Sequence, residues 1–328
     1  MLEVKRYSFE NKNEWNKFIE KAKNSTFLFN RNFMDYHADR FEDYSLMIYN
    51  EKGNIVACFP ANITENNVIW SHQGLTYGSL MVETDAKLVH TLTIFQAILK
   101  YLENAEINTI VYKDFPKFYN NGPSEEIEYA LFQVEAKLFR RDTAIVINQR
   151  NPLKYQNRRK RSIKSAIKHG VKIDEEEDIK RFWNEVLTPN LQERFGVNPV
   201  HSSNEIKLLV EHFPKNIILK TASLNGKMMA GVLLFITNQV VHAQYISASK
   251  EGRNNGSLDF LFDEVITMYK DTQYFDFGIC NENNGKELNE GLLSWKEGFG
   301  GRTFSHNFYE INTSNTKNLD DVLNLNNV

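Results

Sequence analysis

The chain is short of cysteine, of long apolar runs and of charge of one sign, and each shortage removes a class of protein. Its two cysteines, Cys58 and Cys280, stand singly in apolar runs, with no Cys-x-x-Cys pair and no Cys/His cluster at ligand spacing. Neither a disulfide framework nor a metal site therefore organises the fold, and reduced thiols with no bound metal are expected. No stretch approaches the roughly 18 consecutive apolar residues that a membrane span requires. The opening "MLEVKRYSFENKNEW" also lacks the apolar segment of a secretion signal, so a cytoplasmic protein without a membrane span is expected. A formal net charge of −3 on 328 residues supplies no field for extended duplex, which argues against DNA as a partner. Neither a Gly-x-Ser-x-Gly elbow nor a Cys/His pair points to a covalent nucleophile.

What is present is a unit written twice. "YSLMIYNEKGNIVACFPANITENNVIWSHQG" reads as three strands joined by a Gly turn and an Asn-bearing turn, and "NIILKTASLNGKMMAGVLLFITNQVVHAQYISAS" repeats the order, with Asn225-Gly226 as its hairpin signal. A glycine-bearing loop, a helix and a short β-rich run follow each meander. They are "HQGLTYGSL", a helix over 89–101 and "INTIVYKDF" in the first half, then "SKEGRNNGSL", a helix over 258–269 and "YFDFGI" in the second. Leu258, Leu261, Phe262, Val265, Ile266 and Tyr269 recur at helical spacing, so one side of the second helix packs on a sheet. The expectation is an α/β (α+β) fold of two domains, 1–150 and 151–328, each a mostly antiparallel sheet flanked by helices, with the break near Asn151-Pro152. The asparagine-rich end from Asn312 reads as loose or peripheral.

Between Asn151 and Ile173 stand eight Lys or Arg residues and no acid. Ile163 and Ile167 at i, i+4 and a terminating Gly170 predict an amphipathic helix with one basic side. That side is either a solvated face or a phosphate site. In the second case Arg158, Arg159 and Arg161 offer guanidinium forks suited to a nucleotide diphosphate, coenzyme A or a tRNA backbone. Near the other end, "LLSWKEGFGG" places Lys296 one helical turn beyond Leu292 and Leu293, on the packing side, where a cation either snorkels or works.

"NRRKRSIKSAIKHGVKI", the "YFDFG" strand and "GLLSWKEGFGG" running into a last strand resemble, in that order, the second half of the FemAB-like transferases of the GNAT acyltransferase superfamily. The doubled unit resembles the two GNAT-like domains of that family. The resemblance implies acyl transfer to an amine, from an acyl-CoA such as acetyl-CoA or from an aminoacyl-tRNA. The implied acceptor is a small molecule, a nucleotide sugar or a cell-envelope precursor, as in polysaccharide biosynthesis. It implies that Lys296, flanked by Trp295 and Phe299, stabilises an oxyanion or clamps an acidic substrate. It implies a donor-binding loop in "RNNGS", with Arg253, Asn254, Asn255, Gly256 and Ser257 as cofactor contacts and free N–H groups before a helix for the pyrophosphate. Leu258 stands where that pattern has Gly or Ala, and Ser294 where many CoA-using members carry a tyrosine acid. Both departures bear against acyl-CoA, whereas the chain lacks the long helical arm of some tRNA-using members. The first half, without the donor pattern, is expected to hold the acceptor, with His72 as a base and Tyr77 as a contact. Arg194, Tyr245 and Trp295 complete the expected substrate contacts. A binding protein that keeps the fold without the chemistry is the remaining alternative.

Overall fold

The computed structural model describes residues 2–324. Two compact units account for them: the first runs as far as Asp142 and takes up the chain again from Ser305, and the second spans Thr143–Phe304.

In the first unit, Leu46–Tyr49 and Ile55–Phe59 form an antiparallel hairpin, with Glu3–Arg6 and Met81–Val82 on its two sides. Asn62–Ile63 then pairs with Val68–Trp70, which runs parallel to Thr109–Lys113. A parallel pair needs a long crossover, and the helix Leu88–Asn104 supplies it. Its Leu92, Phe95, Ile98 and Leu99 join Ile48, Phe59, Ile110 and Tyr112 in one buried core. The end expected to be loose or peripheral is folded onto this unit through Asn324, and residues 325–328 lie outside the described ones. Thr313 donates to the Ile107 carbonyl at 2.8 Å, Asn315 to that of Val134 at 2.8 Å, and Leu319 is fully buried. Its polar side chains are there to satisfy carbonyls at the ends of neighbouring elements, which composition alone does not reveal.

The second unit repeats the plan. Ile217–Leu224, Lys227–Ile236 and Val240–Ala248 form the meander, with Lys172–Glu175 along one edge. Asn225 and Gly226 both adopt positive φ, as a two-residue hairpin of matching twist requires. The helix Ser257–Met268 crosses over to Tyr274–Ile279, which lies parallel to Val240–Ala248 and antiparallel to residues 144–148. Leu261, Phe262 and Val265 of that helix and Ile163 of the basic helix Asn157–Lys168 share a core with Val232, Leu234, Phe275 and Phe277. Burying a side chain such as Phe262 contributes about 1.5–3 kcal/mol. On the opposite face Phe182 lies over Gly231, where a Cβ would stand 2.5 Å from its ring.

"SKEGRNNGSL", expected as an open loop, is instead mostly helical. Ser249 caps a turn of helix over Lys250–Asn255 by accepting the Gly252 N–H, and Gly256 at φ +87 turns the chain directly into Ser257–Met268. Gly256 also packs on the basic helix so closely that a Cβ would stand 2.2 Å from the Ser162 carbonyl oxygen. Gly256→Ala is therefore expected to lower the stability of the second unit by about 1–3 kcal/mol, through left-handed backbone strain and this overlap. Urea unfolding measures the loss, and a neutral substitution would contradict the packing.

Candidate functional site

The parallel pair of the second unit is short. Val240, Val241 and His242 are in register with Tyr274, Phe275 and Asp276, and among the described residues no later pair continues the ladder. Each strand carries an irregularity where they part. On the first strand Leu233 pairs with Tyr245 and Leu234 with Ala243, so Gln244 is an extra residue; on the second, one extra residue lies between Asp276 and Ile279. Bulges bend the strands that carry them, and strand edges without ladder partners present N–H and C=O groups to whatever lies between.

The last register pair brings two titratable side chains together. His242 Nδ1 lies 2.8 Å from Asp276 Oδ2, with both side chains largely buried. A ring nitrogen facing a carboxylate carries the proton, so in the neutral ring Nε2 is the acceptor. The other Asp276 oxygen accepts the Gly278 N–H at 2.7 Å. Gly278 has φ +74, and a Cβ there would stand 3.3 Å from His242 Cε1, so the turn lies against the imidazole. Its carbonyl and that of Ile279 accept from Lys296 Nζ at 3.0 and 2.8 Å. Sequence reading passed over His242 and Asp276; the available signal was a titratable residue alternating with apolar ones in "VVHAQ" and "YFDFG", two strands that the repeat brings together.

Lys296 does not snorkel. Only 2% of it is exposed, at the last turn of the helix Glu290–Glu297, and burial pulls its ammonium below lysine's usual range, with the Cys280 thiol and Asp276 acting the other way. Trp295 beside it donates to Asp259 at 2.8 Å and packs edge-on against Phe262, Phe277 and Phe299.

The expected phosphate and donor contacts separate into two groups. Arg159 points inward, not to solvent: its Nη1 lies 2.6 and 2.7 Å from the two Asp259 oxygens, both residues being buried. Its place in the "NRRKR" run falls on the stripe with Ile163 and Ala166, which the core claims. Arg253 donates to Asn190 at 2.6 Å and to the Ala248 carbonyl, while Asn255 accepts both the backbone N–H and the hydroxyl of Ser257. The N–H groups of Gly252, Arg253, Gly256 and Ser257 all have partners within the segment. Arg158, Arg161, Arg194 and Asn254 are exposed. Tyr245 is half-buried against Trp183 and His201.

In the first unit, Tyr77 is core: it is 2% exposed, its hydroxyl lies 3.0 Å from Thr26 Oγ1, and its ring meets Phe29, Phe115 and Tyr119. His72 is buried at φ +69 and stacked on His37, ring centroids 5.1 Å apart. Burial, then His37, Lys113 and Arg31, hold its pKa well below the usual 6.5, so it is neutral at physiological pH. The loop carrying it is clasped by Lys113, whose Nζ donates to the Gln73 and Leu75 carbonyls at 3.0 and 2.6 Å.

No protein-family model matches the chain, and no curated protein does. Solved structures do. FemX has a TM-score of 0.64 at 10% identity, over 94% of this chain and 96% of FemX. L-PGS from Bacillus licheniformis has a TM-score of 0.62 at 11% identity, over 97% and 98%. The C-terminal domain of a putative lysylphosphatidylglycerol synthetase from Agrobacterium fabrum has a TM-score of 0.59 at 11% identity, over 96% of each. The FemAB-like fold of tandem GNAT-like units that the sequence resembles is thus the fold of the chain. Among the described residues no helix is long and apolar enough to cross a membrane, and no group of three or more His, Cys, Asp or Glu could hold a metal ion.

Because burial lowers the Lys296 pKa, the unfolded chain holds that proton more tightly. From the lowered value up to lysine's 10.5, the stability of the second unit should therefore rise with pH. Lys296→Met is expected to abolish this rise and, at neutral pH, to leave two carbonyls unpartnered at a cost of about 1–3 kcal/mol. Urea unfolding across that pH window reads both effects, and an unaltered slope would contradict a buried ammonium.

Proposed function

We propose that the chain is an acyltransferase that moves an acyl group from acyl-CoA to an amine, at the point in the second unit where Val240–Ala248 and Tyr274–Ile279 part. The observation that carries this reading is a His–Asp pair on the last rung of a ladder whose strands then leave their edges without partners. The pantetheine arm of coenzyme A is extended and carries amides, so it can pair with a strand edge, and backbone N–H groups there can receive the oxyanion. His242 Nε2 takes the proton of the attacking amine, Asp276 stabilises the imidazolium, and Lys296 holds the turn at Gly278 that positions Asp276. Transfer is direct, with proximity supplying much of the rate. The acceptor is an amino group on a sugar, nucleotide sugar or cell-envelope precursor, and the setting is the cytoplasm.

A second donor has its own support. With the N–H groups of residues 252, 253, 256 and 257 bonded within the segment, a pyrophosphate cradle there is poorly equipped, while Arg158 and Arg161 are exposed. An aminoacyl-tRNA, whose backbone such a face can grip, answers both facts. The name lysylphosphatidylglycerol synthetase also describes a protein that joins an amino acid to an acceptor.

Calorimetry and thermal shift with acetyl-CoA decide between donors. A ligand at a hundred times its dissociation constant adds about 2.7 kcal/mol of stability, and no shift at millimolar acetyl-CoA would remove the first donor. His242→Ala and Asp276→Asn are expected to slow acetyl transfer to hydroxylamine, a surrogate amine, by about 10²–10⁴-fold with little change in acetyl-CoA affinity. Arg158→Ala with Arg161→Ala should weaken binding of aminoacyl-tRNA most at low salt if tRNA is the donor. A loss independent of salt would count against backbone contacts.

A further inference from the structure

The bulge on Val240–Ala248 leaves one hydrogen-bond acceptor stranded beside His242. Val241 and Ala243 point into the core with Phe262, and Ile246 and Ala248 do so beyond the bulge. His242 and Gln244, which alternate with the first pair, therefore face the other way, and the extra residue turns Tyr245 to that side as well. Successive outward positions of a strand lie about 7 Å apart. Two hydrogen bonds of about 3 Å from one nitrogen nearly span that distance.

Gln244 Oε1 is buried and has no hydrogen-bond partner among the described residues. The polar groups on either side are committed elsewhere. His242 Nδ1 spends its hydrogen on Asp276, so the neutral ring can only accept through Nε2. The Tyr245 hydroxyl is engaged with the backbone N–H and the ring of His201, and the Tyr245 ring is fixed against Trp183 with centroids 5.2 Å apart. A buried amide oxygen without a donor costs stability, and such groups are rare in folded proteins. A ligand nitrogen that carries two hydrogens would satisfy both outward acceptors at once.

We propose that Gln244 Oε1 is the second acceptor for the attacking amine and makes the site specific for primary amines. This rests on the acyl-CoA reading above. A neutral primary amine has two N–H bonds and one lone pair. With one hydrogen on His242 Nε2 and the other on Gln244 Oε1, the lone pair is left for the acyl carbon. As the carbon–nitrogen bond forms, the first proton passes to His242 and the carbon–sulfur bond breaks, releasing a thiolate. The second hydrogen stays on nitrogen, so the product amide keeps its one N–H on Gln244. The imidazolium proton then returns through solvent to the thiolate. A secondary amine has a single N–H, which His242 takes, and its second substituent leaves Gln244 Oε1 buried without a donor. A site built to bond an N–H discriminates strongly against an analogue that lacks it.

The test is transfer from acetyl-CoA to hydroxylamine and to N-methylhydroxylamine by the full chain, wild type against Gln244→Met, which keeps the length of the side chain and removes its amide. kcat/KM for hydroxylamine is expected to fall about 10–100-fold and that for N-methylhydroxylamine not to fall, with acetyl-CoA affinity by calorimetry unchanged. Gln244→Glu keeps an oxygen acceptor at the same place, so it should hold the wild-type preference for hydroxylamine to within about 5-fold, and it gives an independent readout if the first variant is unstable. Equal losses with both acceptors, no loss with either, or a preference lost in Gln244→Glu would overturn the assignment. Weakened acetyl-CoA binding in Gln244→Met would overturn it too, by placing the amide on the donor. A wild-type chain that transfers to neither acceptor would instead bring down the transferase reading, and the role of Gln244 with it.

Discussion

One glycine governs the site. Both polar groups of Gly278 are claimed by side chains: its N–H by Asp276 and its C=O by Lys296. The left-handed turn that results carries the chain away from the parallel ladder, presents Asp276 to His242, and sets the glycine against the imidazole. A buried ammonium is costly unless its donors are satisfied, and here two carbonyls and the Cys280 side chain receive them. Lys296 is thereby a part of the scaffold that holds the turn after Asp276.

A second buried charge ties the surrounding helices together. Asp259 accepts from Arg159 of the basic helix and from Trp295 of the helix Glu290–Glu297, so three helices meet on one carboxylate. The rest of "SWKEGFGG" follows from that junction. Phe299 fills the core, Gly298 leaves room for the Arg159 stem, and Gly300 turns at φ +88 where a Cβ would stand 2.6 Å from the Leu153 carbonyl oxygen. Removing one partner of such a junction strands the other charge, which makes it far more costly to break than its net contribution to stability suggests.

The two units share a device as well as an order of elements. Each closes a meander with a parallel strand brought in by a crossover helix, and each buries a lysine whose ammonium is spent on backbone carbonyls beside that strand. What differs is the titratable group. The second unit gives its histidine a carboxylate, whereas the first stacks His72 on His37 and buries both, which favours their neutral forms. The same plan therefore yields a histidine–carboxylate pair in one unit and a stack of two buried histidines in the other.

Local pattern alone determined a good deal. Period-two strands, the Asn225-Gly226 turn, the basic helix ended by Gly170 and the doubled order of elements depend on neighbours a few residues apart, and each is present as expected. The inward lean of Lys296 also followed from helical spacing. Tertiary structure decided which polar groups were already taken. Arg159, Arg253, Asn255 and Ser257 read as ligand contacts because a sequence shows donors and acceptors but not their partners, and those partners lie up to 100 residues away or on another face. His242 and Asp276, 34 residues apart, meet only because two strands pair in one register. Tyr245 shares their face only because one residue bulges out of a ladder, and a shift of one residue in a period of two reverses every side chain beyond it.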